Sequence, residues 1–211
     1  DYADAKWELG VLKKATEQGH AEVQYTLGVM YRDGEGVEKD EVEAMEWFKK
    51  AAARGYAEAQ IKLGVMYYIG QGVGQDYVES VKWFKKAAAQ DYPHAQFNVG
   101  LMYKDGEGVG KDYAESVKWF EKAAAQGYPD AQFNLGVMYY KGQVVEQDYA
   151  ESVKWFKKAA TQGDASAQYN LGLMYKDGEG VEKDEAEAVK WYRKAAAQGH
   201  EDAKKLLEKS E

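Results

Sequence analysis

The chain has 211 residues, 28 Lys and Arg against 36 Asp and Glu, a net charge of −8 and no cysteine. The acid excess speaks against bulk nucleic-acid binding, which needs cations clustered on phosphates, and the missing thiols exclude disulfides, thiolate metal sites and a cysteine nucleophile. Two prolines and 14% aromatic residues point to an ordered chain, and no apolar run reaches the roughly 18 residues of a membrane span.

In chain order, residues 1–20 come first. Asp1 is neither Met nor the start of a charged-then-apolar leader, the expectation for a processed or trimmed chain, with any targeting signal out of view. The compartment stays open, because a cysteine-free chain suits either side of a membrane. Residues 3–12 match the start of a first helix such as 57–66, and residues 13–20 match the end of a second one. The segment reads as a unit that has lost its middle, about five α-helical turns, so the apolar face stays nearly in phase. One continuous N-terminal capping helix over 3–18 is expected.

From residue 21 a 36-residue period takes over. Gly28, Gly64, Gly100, Gly136 and Gly172 fall in register, as do Met30, Met66, Met102, Met138 and Met174, and Trp47, Trp83, Trp119, Trp155 and Trp191. Five units follow, 21–56, 57–92, 93–128, 129–164 and 165–200, and the third and fifth are identical at 26 of 36 places. Each reads as two helices. The first opens on Ala or Pro, as at Ala57 and Pro93, and Ala59, Leu63, Met66 and Tyr67 form one apolar face. It stops at a glycine-containing loop such as Asp33–Val37. The second helix starts at Asp40, Asp76, Asp112, Asp148 and Asp184, each followed three residues later by Glu. That is capping-box spacing, with Asp accepting backbone N–H groups and Glu reaching back. Gly55, Gly127, Gly163 and Gly199 close four second helices, and Asp91 takes this place in the second unit. Glycine in the middle of the first helix costs about 1 kcal/mol relative to Ala. Its recurrence implies close approach of a neighbouring helix, with the Trp and Phe or Tyr of the second helix filling the space and successive pairs stacking. Residues 201–211 resemble one more first helix, a C-terminal cap in which Glu208 stands where glycine belongs.

The string Ala131–Tyr140, then Gly-x-x-Val, Asp-Tyr-x-Glu and Lys-Trp-Phe-Lys-Lys-Ala-Ala, resembles a Sel1-like repeat, a relative of the tetratricopeptide repeat with a longer loop between its helices. The resemblance covers all five units. It implies an all-α fold: a right-handed superhelical α/α solenoid of five 36-residue helix-turn-helix repeats with helical caps, one continuous domain. The fourth unit departs from the pattern at Val144, where the others carry Gly36, Gly72, Gly108 or Gly180. If that place needs positive φ, the fourth loop is strained.

No catalytic or metal constellation assembles from the chain. The Asp-Gly-Glu-Gly loops lack the alternating oxygen ligands of a calcium loop and the Gly-Lys-Ser/Thr ending of a phosphate loop. His20, His94 and His200 do not pair at metal-binding spacing, and Ser80, Ser116 and Ser152 sit on a helix face as packing residues. The expectation is a non-enzyme without cofactor or metal.

What varies between units is the face opposite the core of the first helix. It carries Arg32; Lys62, Val65 and Tyr68; His94, Asn98, Leu101 and Lys104; Asn134, Val137 and Tyr140; and Asn170 and Lys176. These are the candidate partner-binding residues. Arg32-Asp33, Lys104-Asp105 and Lys176-Asp177 alternate with Tyr68-Ile69 and Tyr140-Lys141, and Glu35, Glu107 and Glu179 alternate with Gln71 and Gln143, a 72-residue super-period. Duplication of a pair of units explains it, and so does a groove with charged and aromatic stations in turn. The recurring Asn98, Asn134 and Asn170 also fit hydrogen bonds to the backbone of a neighbouring unit. Phe97 with Leu101 and Phe133 with Val137 occupy the places where some peptide-binding relatives hold a carboxylate with Lys and Asn, which argues against such a clamp. The resemblance implies a scaffold or adaptor that binds a protein or peptide, neutral or basic in view of the charge of −8, along the inner face. A structural or self-associating array without a dedicated ligand, natural or of consensus-engineered type, fits the same features.

Overall fold

The protein is described by a computed structural model covering residues 10–12, 14, 19–142 and 146–208. Its helices are α1 (Ala21–Asp33), α2 (Glu41–Ala53), α3 (Ala57–Ile69), α4 (Tyr77–Ala88), α5 (Pro93–Asp105), α6 (Tyr113–Ala125), α7 (Pro129–Lys141), α8 (Tyr149–Thr161), α9 (Ala165–Asp177), α10 (Glu185–Ala197) and α11 (Glu201–Glu208), with no strand among the described residues. Each 36-residue repeat supplies one odd-numbered first helix and one even-numbered second helix. The chain forms two compact units, residues 1–111 and 112–211. In the first, α1 to α5 each pack on the next; in the second, α6 to α11 do the same. This is the stacking of an α-solenoid. Most of the helix expected over 3–18, together with Val144, lies outside the described residues, and residues 201–208 of the expected C-terminal segment are helical as α11.

The second helices begin where the sequence places them. Asp40 Oδ1 accepts from the backbone N–H of Val42 and Glu43 at 3.0 and 2.9 Å. Asp76, Asp112, Asp148 and Asp184 accept from the N–H of Glu79, Glu115, Glu151 and Glu187 at 2.9–3.0 Å. The reverse half of the capping box is not formed at four of these helices. The N–H groups of Asp40, Asp76, Asp148 and Asp184 donate instead to the carbonyls of Tyr31, Tyr67, Tyr139 and Tyr175 at 2.8–3.1 Å. Those carbonyls lie in the last turn of the preceding helix and have no intrahelical donor, so one bond satisfies both groups and ties the loop shut. The glutamates turn elsewhere: Glu43 accepts from Trp47 Nε1 at 2.9 Å, and Glu151 and Glu187 pair with Lys154 and Lys190.

The mid-helix glycines mark helix contact, as expected. A Cβ on Gly28, Gly64, Gly136 or Gly172 would lie 2.5–2.7 Å from the ring of Phe48, Phe84, Phe156 or Tyr192. At the same contacts Ser80 and Ser152 donate to the carbonyls of Gly64 and Gly136 at 2.7 Å. Phe48, Phe84, Phe120 and Phe156 are at most 2% exposed. The tryptophans are a correction to the expected core. Trp47, Trp83, Trp119 and Trp155 are half-buried, and among the described tryptophans only Trp191 is buried. Adjacent residues stand about 100° apart around a helix, so with Phe directed at the glycine the indole lies on the flank. There a lysine three residues on covers its face, as Lys50 over Trp47 at 3.9 Å and Lys86 over Trp83 at 3.8 Å.

Candidate partner-binding face

Neighbouring repeats are joined by buried glutamines. Gln60, Gln132 and Gln168, each at most 5% exposed, donate to the carbonyls of Ala52, Ala124 and Ala160 in the preceding second helix at 3.0–3.2 Å. Their Oε1 atoms accept from Gln90, Gln162 and Gln198 at 2.8–2.9 Å. Sequence reasoning passed over these residues. The signal was present: a polar residue recurring every 36 positions beside an apolar stripe has to be satisfied by something across the boundary. The loop glycines join the repeats too. Gly72 has φ +70°, and a Cβ there would lie 2.6 Å from the Glu41 carbonyl oxygen; Gly108 and Gly180 press in the same way on Tyr77 and Tyr149. Positive φ is therefore required in the three loops.

With the constant residues consumed in this way, the variable first-helix positions take the following places. Tyr68, His94, Tyr140 and Lys176 are exposed; Arg32, Lys62, Val65, Asn98, Leu101, Lys104, Asn134, Val137 and Asn170 are half-buried. Val137 packs against the buried cluster of Phe156, Leu171 and Met174. The asparagines do not reach a neighbouring repeat. Asn98, Asn134 and Asn170 each donate to the carbonyl four residues back in their own helix, His94, Asp130 and Ser166, at 2.8 Å. That acceptor lies within reach on the same helix face, and no rearrangement of the stack is needed to meet it.

The alternating stations have a geometry of their own. In the first unit Tyr68 meets Tyr77 edge-on at 5.2 Å, and a hydrogen bond to the Glu107 carboxylate pushes its hydroxyl pKa up to about 12. In the second unit Tyr140 lies 5.3 Å from Tyr149, and burial, with Glu179 beside it, raises its pKa as well. Each such tyrosine thus meets the loop glutamate of the following repeat. Where an odd repeat precedes an even one, Gln71 donates instead to Glu41 at 3.0 Å. Arg32 grips Asp33 through Nε and Nη2 at 2.7 and 2.6 Å. Lys62 is close enough to feel both: burial lowers its pKa, Arg32 lowers it further and Asp33 opposes. In the last repeat, Lys176, Glu185, Ala188, Val189 and Tyr192 line a shallow recess. The Tyr192 hydroxyl is buried with no hydrogen-bond partner among the described residues. No group of three or more His, Asp or Glu among the described residues is placed to hold a metal ion, and none of the described helices is long and apolar enough to cross a membrane.

The profile of the Sel1 repeat matches residues 21–56, 57–92, 93–128, 129–164 and 165–200. The chain belongs to the Sel1 repeat family. Among solved structures it is similar to c5321, a protective antigen of uropathogenic Escherichia coli strains with an SLR fold, at 45% identity and a TM-score of 0.90 over 92% of this chain. The match spans only 42% of that protein. A Sel1 repeat protein from Oxalobacter formigenes shares 34% identity with a TM-score of 0.82, covering 98% of this chain and 86% of the other. A Klebsiella pneumoniae sel1 repeat protein, 21% identical with a TM-score of 0.55 over 94% of this chain and 96% of its own, shares the fold. No curated protein gives a significant sequence match. Sel1 repeats are generally protein-interaction scaffolds, and the family is typically non-enzymatic.

Proposed function

We propose that this Sel1 repeat protein is a non-enzymatic adaptor that binds a peptide or protein segment along the variable face of its first helices. One observation carries the reading. Nearly everything that recurs every 36 residues is used in capping, turning or stacking, whereas Arg32, Lys62, Tyr68, Ile69, Lys104, Tyr140 and Lys176 change from repeat to repeat and keep surface exposure. Exposed Tyr and Arg are favoured contact residues. Replacing Tyr68 or Tyr140 by the photo-reactive p-benzoylphenylalanine tests the face, with Glu46 and Lys157 on the second helices as control positions. Crosslinks from the tyrosine positions alone are expected; crosslinks from the second-helix positions instead would overturn the assignment.

A second reading, an array without a dedicated ligand, draws support from the contacts of Tyr68 with Glu107 and of Tyr140 with Glu179. These serve stacking whether or not a partner binds. Sedimentation across a wide concentration range addresses its self-associating form, for which a concentration-dependent mass is expected.

A further inference from the structure

The loop edge of the second repeat departs from the pattern of the others. Repeats one, three and five carry charge there, as Asp33 and Glu35, Asp105 and Glu107, and Asp177 and Glu179, and the fourth carries Lys141 and Glu146. Residues 69–75 of the second repeat carry none. Ile69, at the loop entrance, is 55% exposed, and Tyr68 before it 36%. Val78, at the start of α4, is 50% exposed, where later repeats carry Ala114, Ala150 and Ala186. The Tyr68 and Tyr77 rings meet at 5.2 Å and bring the two ends of the loop together. On its other side the loop rests on the start of α2. Gln71 Nε2 donates to Glu41 Oε1 at 3.0 Å, and a Cβ on Gly72 would lie 2.6 Å from the Glu41 carbonyl oxygen. The next residue, Val42, is 62% exposed. Four of the six large apolar side chains exposed among the described residues therefore border this one loop. Aliphatic side chains exposed singly are ordinary, but an uncharged group of them marks a contact. The turn itself does not require the group, since other repeats build it with Asp at the place of Ile69 and Ala at that of Val78.

We infer that this loop edge seats an aliphatic or aromatic side chain of the bound segment, with a Lys or Arg next to it in that segment. The apolar side chain covers Ile69 and Val78. The preference for a basic neighbour follows from the charges around the patch. A Cβ on Gly108 would lie 2.8 Å from the backbone N of Val78, which sets Glu107, one residue earlier, at the α4 side. Glu41, on the α2 side, is taken up by Gln71 and by Lys39 at 3.2 Å, whereas Glu107 accepts from the neutral Tyr68 hydroxyl and keeps its charge. With −8 on the whole chain, a cation beside the apolar anchor is attracted and an acid is repelled.

The inference rests on the peptide-binding reading above, and the test separates the two. A random peptide library displayed on phage is panned against the full chain. Enriched peptides are then measured by titration calorimetry against the wild type, Ile69→Asp and Val78→Ala. Both substitutions install residues that other repeats carry, so an unchanged thermal melt is expected; Ile69→Lys, as in the fourth repeat, takes over where Ile69→Asp melts early. Enriched peptides should share an apolar residue next to Lys or Arg. Ile69→Asp should weaken binding about tenfold and Val78→Ala about threefold. Changing the apolar residue of the peptide to Ser should cost about tenfold against the wild type and little more against Ile69→Asp. Changing its basic neighbour to Gln should weaken binding more at low salt than at high salt. Peptides that share no apolar position, that bind Ile69→Asp as tightly as the wild type, or that lose nothing with Gln at low salt overturn the inference and leave the adaptor reading standing. No enrichment at all removes both.

Discussion

Tyr192 and Phe156 occupy the same place in successive repeats, yet only the tyrosine brings a hydroxyl into the contact with the first helix. That hydroxyl is buried without a partner among the described residues, and burial pushes its pKa up to about 12. A stranded buried hydroxyl costs roughly 1–3 kcal/mol. Tyr192→Phe, the residue used by the other four repeats, is therefore expected to stabilise the protein by about 1 kcal/mol in urea unfolding; a loss of stability would show that the hydroxyl is satisfied in solution. Tyr68 reaches a pKa of about 12 by another route, donating its proton to Glu107. A folded-state pKa above the unfolded value of about 10 means that the neutral form is favoured by folding. The contribution is complete below pH 10 and disappears as the pH rises through about 12. Comparison of alkaline absorbance titrations of wild type and Tyr68→Phe should reveal one phenol ionising well above the ordinary range. A difference centred near pH 10 would contradict the bond to Glu107.

At the level of helices, the boundaries follow from signals that span three or four residues. An Asp at the N-cap accepts N–H groups that the helix cannot satisfy, and a glycine after the last turn takes up the left-handed conformation. These places were legible in the sequence. The second half of the capping box was not, because the N–H of the N-cap Asp has a competing acceptor nine residues earlier, the carbonyl of Tyr31, Tyr67, Tyr139 or Tyr175. The two halves make different predictions. Asp76→Ala should cost about 1 kcal/mol. Glu79→Gln should change stability by less than about 0.5 kcal/mol, since it loses only an exposed pairing with Lys82. Equal effects in thermal unfolding would mean that the reciprocal box forms after all.

Across the molecule, stability comes from each repeat closing on the next, through the buried glutamines and through loop glycines pressed on a preceding helix. Gly72→Ala places a Cβ 2.6 Å from the Glu41 carbonyl oxygen at φ +70°. A loss of roughly 2–4 kcal/mol is expected from the strained backbone and the steric overlap together. Because stacked repeats are coupled mainly through nearest neighbours, the urea transition should also broaden. A sharp transition of unchanged midpoint would show that this contact contributes nothing. The sequence by itself determined the repeat length, the all-α class, the helix starts and stops and the need for glycine in the helix contacts, because these rest on periodicity and on bonds between residues a turn apart. Only the tertiary structure decided that Phe rather than Trp faces the glycine, that the asparagines bond within their own helices and that Tyr68 meets Glu107. Each of these depends on which groups stacking brings within a few ångströms across some thirty residues of chain, where burial and charge are set by neighbours that no local pattern specifies.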